Sequence, residues 1–314
     1  MKQNNSTPTV WVITEGLAGT ENQCLGIAEA LDVTPVIKRV TLRQPWKLLS
    51  PYLGFECAAT FTEPLTAPWP DILIASGRKS IAASRYIKKQ SEGKTFTVQV
   101  QDPRINPRHF DMVAVPQHDP TRGETVFVSV ATPNRITAER LAQAKLDFAP
   151  LFENLPSPRI ATLIGGSTKR HKFTIEEAKN LISKLNNLKG LMITTSRRTG
   201  EENTALIKAS LSTPQNYFYD GISPNPYMGI LAWADAILVT ADSTSMVSEA
   251  ATTGKPVYVL PMNGLTKRQN QLIENLKIYG AVREFAGTIE NWTYPPLSDS
   301  SQIAAEIHRK SKLL

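Results

Sequence analysis

The segment from Asp235 to Pro261 constrains the fold of this chain of 314 residues more than any other segment. It contains an apolar run at 236–240, a polar turn at 242–245 and a Gly-Lys-Pro break at 254–256 before a second apolar run. Apolar runs this short are typical of strands that a parallel sheet buries on both faces. The segment therefore predicts a strand, a helix and a second, parallel strand.

The start of that helix carries small hydroxyl side chains. Ser243, Thr244 and Ser245 supply an N-cap and a first turn whose free N–H groups favour an anion, above all a phosphate. Glu249 follows one turn later, and a capping box does not explain it because Met246, three positions earlier, has no capping oxygen. We expect Glu249 to accept hydrogen bonds from ribose hydroxyls; an ordinary solvated glutamate is the alternative.

Strand and helix patterns alternate along the whole chain, as in α/β folds with doubly wound parallel sheets. The predicted strands lie at 9–14, 35–42, 71–76, 95–101, 112–116, 126–130, 159–164, 190–195, 217–219 and 236–240. The predicted helices include 22–31, 80–89, 175–185, 201–211 and 302–312. Because prolines interrupt both patterns at 152–158, we expect two Rossmann-like domains, over 1–153 and 154–298, facing each other across a cleft. The last helix, within 299–314, can pack back across the seam.

Composition limits the class of protein and of partner. Hydrophobic residues make up 41% and charged residues 20%, as in soluble globular proteins, and no apolar run could span a bilayer. The polar N-terminus, 1–9, is too short for a signal or transit peptide, and Cys24 and Cys57 fit no metal-ligand spacing, so we expect a cytoplasmic protein. A net charge of +7 favours an anionic partner, but no nucleic-acid-binding motif is present. Of the three anionic partners, an acidic lipid, a phosphorylated small molecule and nucleic acid, nucleic acid is therefore the least expected.

Two further groups of small and basic residues follow strands of the second half. They are Gly165, Gly166 and Ser167, and Ser196, Arg197 and Arg198. Glycine lets the backbone approach phosphate oxygens, and a guanidinium can hold a diphosphate bidentately. Ligands of doubly wound sheets bind beyond the carboxyl ends of the strands. The three strand ends therefore predict a diphosphate site, with a tight turn and a solvated cap as the alternatives.

These motifs resemble the donor-binding half of GT-B glycosyltransferases, above all the peptidoglycan transferase MurG. The whole chain resembles the bacterial members of the family named for the plant mitochondrial-fission factor ELM (elongated mitochondria), which are often labelled nucleoside-diphosphate-sugar epimerases. The matching segments are 15–31, 75–80, 101–104, 115–119, 165–167, 195–199 and 242–250. The resemblance implies that Glu249 binds ribose, that 243–245 and 166–167 contact the diphosphate, and that Gln269 lies near the sugar. No D-x-D pair occurs, so neither a metal nor another cofactor is expected.

The same resemblance implies that the first half holds the acceptor. In related transferases the glycine-rich first loop carries the catalytic base, and here that loop reads Gly-Thr-Glu-Asn at 19–22, with threonine where the peptidoglycan enzyme has histidine. Glu21 is the candidate base; a first-turn acid that complements a helix dipole is the alternative. Asp102 and the neighbouring His118 and Asp119, each at a predicted strand end, are the other candidate bases. The loop residues expected on the acceptor side are Gly16, Gly19, Asn22, Gln23, Arg78 and Arg104.

A stretch of apolar and basic residues at 43–55 allows two interpretations. It could contact an anionic membrane surface or a lipid-linked acceptor, because Arg43 and Lys47 stand beside Leu48, Tyr52 and other large apolar residues. It could also be a helix whose apolar face completes the first core, which is the outcome we expect.

Together these features predict a GT-B protein that transfers the glycosyl group of a nucleotide sugar, expected to be a uridine diphosphate (UDP) sugar, to an unknown acceptor. The acceptor could be lipid-linked at the membrane surface, and the cytoplasmic protein could then be peripheral to the inner membrane. Two alternatives stay open. One is a nucleotide-sugar 2-epimerase, which needs no acceptor, and the other is a non-catalytic adaptor, which the fission-factor family name implies.

Overall fold

The computed structural model describes residues 7–168 and 170–313. They form two compact units, each built on a six-stranded, all-parallel sheet with flanking helices. The first unit comprises the chain up to Arg135 together with the segment from Ser298, and the second comprises Ile136–Leu297. The predicted fold class, two doubly wound parallel sheets, is confirmed. Most of the N-terminal segment that we expect not to be a signal peptide lies outside the described residues.

The first unit alternates strands and helices in chain order. Its strands are β1 (Val10–Thr14), β2 (Val36–Arg39), β3 (Ile72–Ser76), β4 (Phe96–Val100), β5 (Met112–Pro116) and β6 (Val126–Ser129), in the sheet order β2-β1-β3-β4-β5-β6. Its first three helices are α1 (Ala18–Ala30), α2 (Trp46–Leu49) and α3 (Ser80–Gln90). The strands β1, β3 and β5 are buried throughout, as the apolar runs predict.

The second unit has the same plan. Its strands are β7 (Ile160–Ile164), β8 (Leu191–Thr195), β9 (Tyr217–Phe218), β10 (Ala236–Thr240), β11 (Val257–Leu260) and β12 (Val282–Glu284), in the order β12-β11-β10-β7-β8-β9. Its helices are α4 (Ala138–Asp147), α5 (Ala149–Phe152), α6 (Ile175–Leu185), α7 (Glu201–Leu211), α8 (Tyr227–Trp233), α9 (Thr244–Thr252) and α10 (Lys267–Tyr279). The carboxyl ends of β7, β8 and β10, which are adjacent strands, carry the three predicted phosphate motifs.

Two helices, α4 and the last helix of the chain, each belong to a different unit from the segment that precedes them. Residues 136–153, assigned to the first domain from the sequence, lie in the second unit because α4 packs against α8. Gly229 of α8 makes this contact close, since a Cβ there would lie 2.6 Å from Phe148 Cβ. The last helix, α11 (Asp299–Ser311), returns to the first unit, where it packs against α1 and β6 and buries Ile303 and Ile307 in the core.

The segment 43–55 does not form the expected helix with a buried apolar face. Only Trp46–Leu49 is helical, and Trp46 packs against the core of the first unit. Leu48, Tyr52 and Phe55 are exposed. The expectation fails because it assumes that large apolar residues must be buried. Protein interiors are mostly apolar, but much of any protein surface is apolar as well.

None of the helices formed by residues 7–168 and 170–313 is both long enough and apolar enough to cross a membrane.

Candidate functional site

Asp242 joins the strand-end loops of the second unit. Its buried carboxylate accepts hydrogen bonds from the backbone N–H of Gly166 (3.0 Å) and the hydroxyl of Thr240 (2.7 Å), and it lies 3.2 Å from Nη2 of Arg198. Its backbone carbonyl accepts a hydrogen bond from Nε2 of Gln269 at 2.6 Å. The loops after β7, β8 and β10 and the first turn of α10 therefore meet at one residue. From the sequence, Asp242 is only one member of the polar turn at 242–245, although its place directly before the serine-threonine turn is a usable signal.

The two glycines after β7 are needed where these loops pack against each other. A Cβ on Gly165 would lie 2.1 Å from Oδ1 of Asp242, and one on Gly166 would lie 2.2 Å from the carbonyl group of Arg198. The N–H of Ser167 donates to the carbonyl of Arg198 at 2.8 Å. We attributed these glycines to an approach by phosphate, and the structure gives a packing reason that stands without any ligand.

The start of α9 presents unpaired donors. Ser243 is the N-cap, and its hydroxyl accepts a hydrogen bond from the N–H of Met246 at 3.4 Å. Thr244 and Ser245 occupy the first turn, whose N–H groups have no intrahelical partner, and their hydroxyls make no hydrogen bond to another described residue. The first turn carries no acidic side chain. This helix start therefore offers amides, hydroxyls and the positive end of a helix dipole to an anion.

The two arginines after β8 differ in how they are held. Arg198 is 45% exposed, with one nitrogen on Asp242 and another, Nη1, donating to the carbonyl of Ser167 at 3.3 Å. Arg197 is exposed and forms no ion pair with any other described residue. Ser196 caps the short 3-10 turn Arg197–Thr199, which contains both arginines, since its hydroxyl accepts from the N–H of Arg198 at 3.1 Å. Only Arg198 is therefore pre-oriented beside the glycine loop.

Glu249 is held by Tyr227, the first residue of α8. The tyrosine hydroxyl donates to Oε2 of Glu249 at 2.5 Å, and Oε1 accepts no hydrogen bond from any other described residue. Burial raises the pKa of Glu249 to about 7, although the hydrogen bond from Tyr227 opposes that shift. Burial and the neighbouring Glu249 raise the pKa of Tyr227 well above its ordinary value, so its hydroxyl stays a donor. The open Oε1 can accept a hydrogen bond from a ligand hydroxyl.

Gln269 lies in the first turn of α10, where its carboxamide has three bonds. Oε1 accepts from the N–H and the hydroxyl of Thr266, both at 2.8 Å, and Nε2 donates to the carbonyl of Asp242. Thr266 and Gln269 form a capping box, a pattern that the sequence displays. The structure therefore shows Gln269 fastening α10 to the loop after β10.

In the first unit, Glu21 lies in the first turn of α1 rather than in a loop, because the helix begins at Ala18. Its carboxylate accepts two hydrogen bonds from Arg39, at 2.9 and 2.8 Å, and one from the Thr14 hydroxyl at 3.3 Å. The bonds from Arg39 hold the pKa of Glu21 below its ordinary value. This ion pair makes the carboxylate a weaker base than an ordinary glutamate.

Asp102 lies in the loop after β4, and His118 lies in the loop after the adjacent strand β5. Hydrogen bonds join these two loops. The N–H of Asp102 donates to Oδ2 of Asp119 at 3.3 Å. Oδ1 of Asp102 accepts from the Thr121 hydroxyl at 2.7 Å and from the N–H of Arg104 at 2.8 Å. Asp102 and Asp119 are therefore brought to one end of the sheet, with His118 next to Asp119 in the chain.

The predicted acceptor-side residues share the carboxyl ends of β1, β3 and β4, but several have structural tasks there. Gly19 and Asn22 lie in the first turns of α1, and Gly16 precedes it with φ +80°, a conformation that favours glycine. Gln23 is buried and accepts a hydrogen bond at 2.9 Å from Gln101, which itself has φ +73°.

The two predicted acceptor-side arginines are held differently. Arg78 donates from its guanidinium to the carbonyl of Ser50, so it is engaged by the 43–55 segment. Arg104, with φ +59°, is exposed, and its N–H is bound to Asp102. Gln101 and Arg104, which follow β4, thus both have a positive φ. This backbone conformation is costly for residues other than glycine and is common at functional sites.

Known proteins are similar to this chain over most of its length. Residues 18–311 match the family model described as mitochondrial fission ELM1. The Mitochondrial fission protein ELM1 of Arabidopsis thaliana is 34% identical over 272 residues, which are 77% of this chain and 64% of the plant protein. The chain therefore spans less than two thirds of the length of that relative.

Two solved structures show the fold. The UDP-GlcNAc 2-epimerase from Methanocaldococcus jannaschii is similar with a TM-score of 0.53 and 11% identity, over 96% of this chain and 99% of that one. LpCGTa, solved in complex with UDP, is similar with a TM-score of 0.51 and 12% identity, over 98% of this chain and 90% of that one. The fold is that of GT-B transferases and nucleotide-sugar epimerases. By the match to its family model and by its identity to the plant protein, the chain belongs to the mitochondrial fission ELM1 family.

Proposed function

We propose that this protein binds a nucleoside-diphosphate sugar, with uridine as the base, at the carboxyl ends of β7, β8 and β10, and transfers its glycosyl group without a metal. The observation that carries the proposal is the convergence at Asp242 of a glycine loop, an oriented arginine and the open start of α9. Similarity to a UDP-GlcNAc epimerase and to a chain solved with UDP supports the choice of uridine.

The residues divide into two roles in binding. The amides of Thr244 and Ser245 and the guanidinium of Arg198 hold the diphosphate, since both are cationic or dipolar donors aimed at one region. Oε1 of Glu249 accepts a hydrogen bond from a ribose hydroxyl. Tyr227 fixes that carboxylate, and Asp242 positions the loops rather than contacting the nucleotide. Gln269 lies near the sugar and fastens α10 to the loop after β10.

The same donors act on the reaction. When the bond between the sugar and the diphosphate breaks, negative charge grows on the leaving diphosphate. Donors held in place beforehand stabilise that charge in the transition state without reorganising. This chain supplies such donors from the helix start and from Arg198, so the proposed transfer needs no divalent cation.

The base that accepts the proton of the acceptor hydroxyl comes, in this proposal, from the loops after β4 and β5. Asp102 and His118 are the candidates there. Glu21 is the weaker candidate, because its ion pair with Arg39 lowers its affinity for a proton.

Calorimetric titration of the full chain with UDP tests the proposal. We expect saturable binding of UDP, weaker binding of UMP, which lacks the second phosphoryl group, and loss of UDP binding in Glu249→Ala. A matched control is Glu274→Ala, an exposed glutamate on α10, which should bind UDP like the original chain. Heats of dilution alone with UDP and with other nucleoside diphosphates would refute the proposal.

A 2-epimerase is the second candidate function, favoured by the structural similarity to the M. jannaschii enzyme. It would use the same nucleotide site and would need an acid and a base beside the sugar. Incubation with a UDP-sugar in deuterated water separates the two functions. An epimerase incorporates deuterium into the sugar without an acceptor, whereas a transferase does not.

A non-catalytic adaptor is the third candidate, favoured by the family to which the chain belongs. An adaptor would keep its partner when the nucleotide site is removed. Comparison of Glu249→Ala and Arg198→Ala with the original chain in a complementation assay would favour this role if both variants were fully active.

A further inference from the structure

Four large apolar side chains project from the short segment 48–55 of the first unit. Phe55 is 92% exposed, Leu48 74%, Tyr52 67% and Leu49 46%. A single exposed apolar side chain is ordinary on any protein, but a group within one segment marks a surface that meets another body. We name these four residues the 48–55 surface.

The exposure does not come from a loose loop, because the backbone of the segment is fastened to α3 and to the turn before it. The Ser50 hydroxyl donates to the carbonyl of Arg78 at 2.8 Å, and a guanidinium nitrogen of Arg85 donates to the carbonyl of Leu53 at 2.7 Å. The indole N–H of Trp46 donates to the carbonyl of Gly54 at 3.1 Å. The apolar side chains are therefore held outward by an ordered backbone.

A groove lined by basic residues borders the 48–55 surface at Phe55. Its volume is about 470 Å³. The basic residues that line the groove are Arg85, Lys88, Lys89, Arg108 and His109, and its acidic residue is Glu56. Arg85 pairs with Glu56, Lys88 with Asp111 and Arg108 with Glu124.

Several cations around the surface are left for a partner. Lys89, which lines the groove, and the exposed Arg43 and Lys47 form no ion pair with any other described residue. The surface therefore combines exposed aromatic and leucine side chains with unneutralised cations.

We infer that the 48–55 surface docks on an anionic phospholipid bilayer. Phe55, Tyr52 and Leu48 enter the interface, and the neighbouring cations bind headgroup phosphates. This mixture of residues favours a bilayer over a protein partner, because protein interface cores are depleted of lysine, whereas interfacial membrane sites combine aromatic and leucine side chains with lysine and arginine. Aromatic rings with a polar group suit the headgroup region.

The position of the surface has a consequence for the proposed transfer. Ser50 is bonded to Arg78, which follows the carboxyl end of β3, where the acceptor-side loops lie. If the proposed function holds, docking brings these loops to a bilayer and favours a lipid-linked acceptor. The docking itself does not depend on that function.

Flotation of the full chain with vesicles tests the inference. We expect binding to vesicles of phosphatidylcholine and phosphatidylglycerol in equal parts, weak binding to phosphatidylcholine alone, and release by salt. Phe55→Ser should weaken binding about tenfold, since one aromatic side chain no longer enters the interface. Lys47→Glu should weaken binding to anionic vesicles and leave the weak binding to neutral ones unchanged.

The matched control is Ile278→Ser, which removes an apolar side chain that is 85% exposed on α10 of the second unit. It should bind vesicles like the original chain. Failure of the original chain to float with anionic vesicles, or equal losses in Phe55→Ser and Ile278→Ser, would overturn the inference. So would capture of a protein through the 48–55 surface without any vesicle binding. UDP binding in solution, measured in parallel, separates this result from the proposed nucleotide site.

Discussion

Nη2 of Arg198 lies 3.2 Å from Oδ2 of Asp242, and the aspartate is buried whereas the arginine is half exposed. The same carboxylate also receives the N–H of Gly166 and the hydroxyl of Thr240. A buried carboxylate that meets three donors fixes the positions of the groups that carry them. The geometry of the candidate diphosphate site therefore depends on a residue that does not itself need to touch the nucleotide.

Asp242→Asn should destabilise the protein and weaken UDP binding together. The NH₂ group of the asparagine would face one of the donors that the carboxylate now accepts from, and that donor would lose its hydrogen bond. The free energy of unfolding should therefore fall by about 1–3 kcal/mol. Chemical denaturation measures this change. The conservative control is Asp235→Asn, at the opposite end of β10, which should leave UDP affinity unchanged; equal loss of UDP affinity in both would contradict a positioning role.

Arg198→Ala should cost more UDP affinity than Arg197→Ala. Arg198 is oriented by Asp242 and by the carbonyl of Ser167, whereas Arg197 would have to lose side-chain entropy on binding. A charge-assisted hydrogen bond is worth about 1.5–3 kcal/mol, so the loss in Arg198→Ala should be roughly tenfold or more. Titration calorimetry of both variants decides, and equal losses would show that orientation does not matter.

The pKa of Glu249, raised to about 7 from 4.5, predicts a pH-dependent stability. The folded state binds the proton more tightly than the unfolded state, so this stabilisation is complete below pH 4.5 and is lost as the pH rises through 7. Relative to Glu249→Gln, the original chain should lose up to about 3 kcal/mol across that range. Parallel denaturation curves of the two chains against pH measure the difference, and parallel pH profiles would contradict the raised pKa.

The same group predicts a pH-dependent affinity. A ribose hydroxyl donates to the carboxylate, so UDP should bind more weakly below pH 7, where Glu249 takes up a proton. In Glu249→Gln the affinity should be lower and should lack this dependence. UDP titrations at several pH values measure both trends. If the original chain and the variant follow the same profile, Glu249 does not bind the ribose.

Ile307→Ala should destabilise the first unit by about 2–5 kcal/mol, because Ile307 of α11 is fully buried in the core that α1 and the sheet provide. Ile278→Ala removes the same side chain from an exposed position and should change the free energy of unfolding by less than about 0.5 kcal/mol. Denaturation followed by circular dichroism tests the pair. Similar stabilities would mean that α11 contributes little to the first unit.

The elements whose bounds could be predicted best are those in which local burial and capping signals agree. Ala236–Thr240, Ile175–Leu185 and Glu201–Leu211 have the predicted bounds. The strand is apolar at every position, and the two helices begin at a capping box and at a glycine with φ +84°. Local sequence suffices where burial and capping agree.

The rest depends on contacts between segments that are distant in the chain. The roles of Asp242 and Gln269 come from loops that only the folded sheet brings together. The pairing of Glu21 with Arg39 likewise joins α1 to β2, so the lowered pKa of that carboxylate was not visible in the loop motif. The exposure of Phe55 depends on how its segment is tied to α3. Composition shows that the chain contains such apolar residues, but it does not show which of them are buried and which are exposed.

The return of α11 to the first unit has a consequence for biosynthesis. Ile303 and Ile307 complete a core whose other members are translated before residue 115. A ribosome must therefore finish the whole of the second unit before the first can close its interior. We expect the nascent first unit to expose that gap to chaperones throughout elongation, whereas the second unit, contiguous in the message, can fold as it emerges.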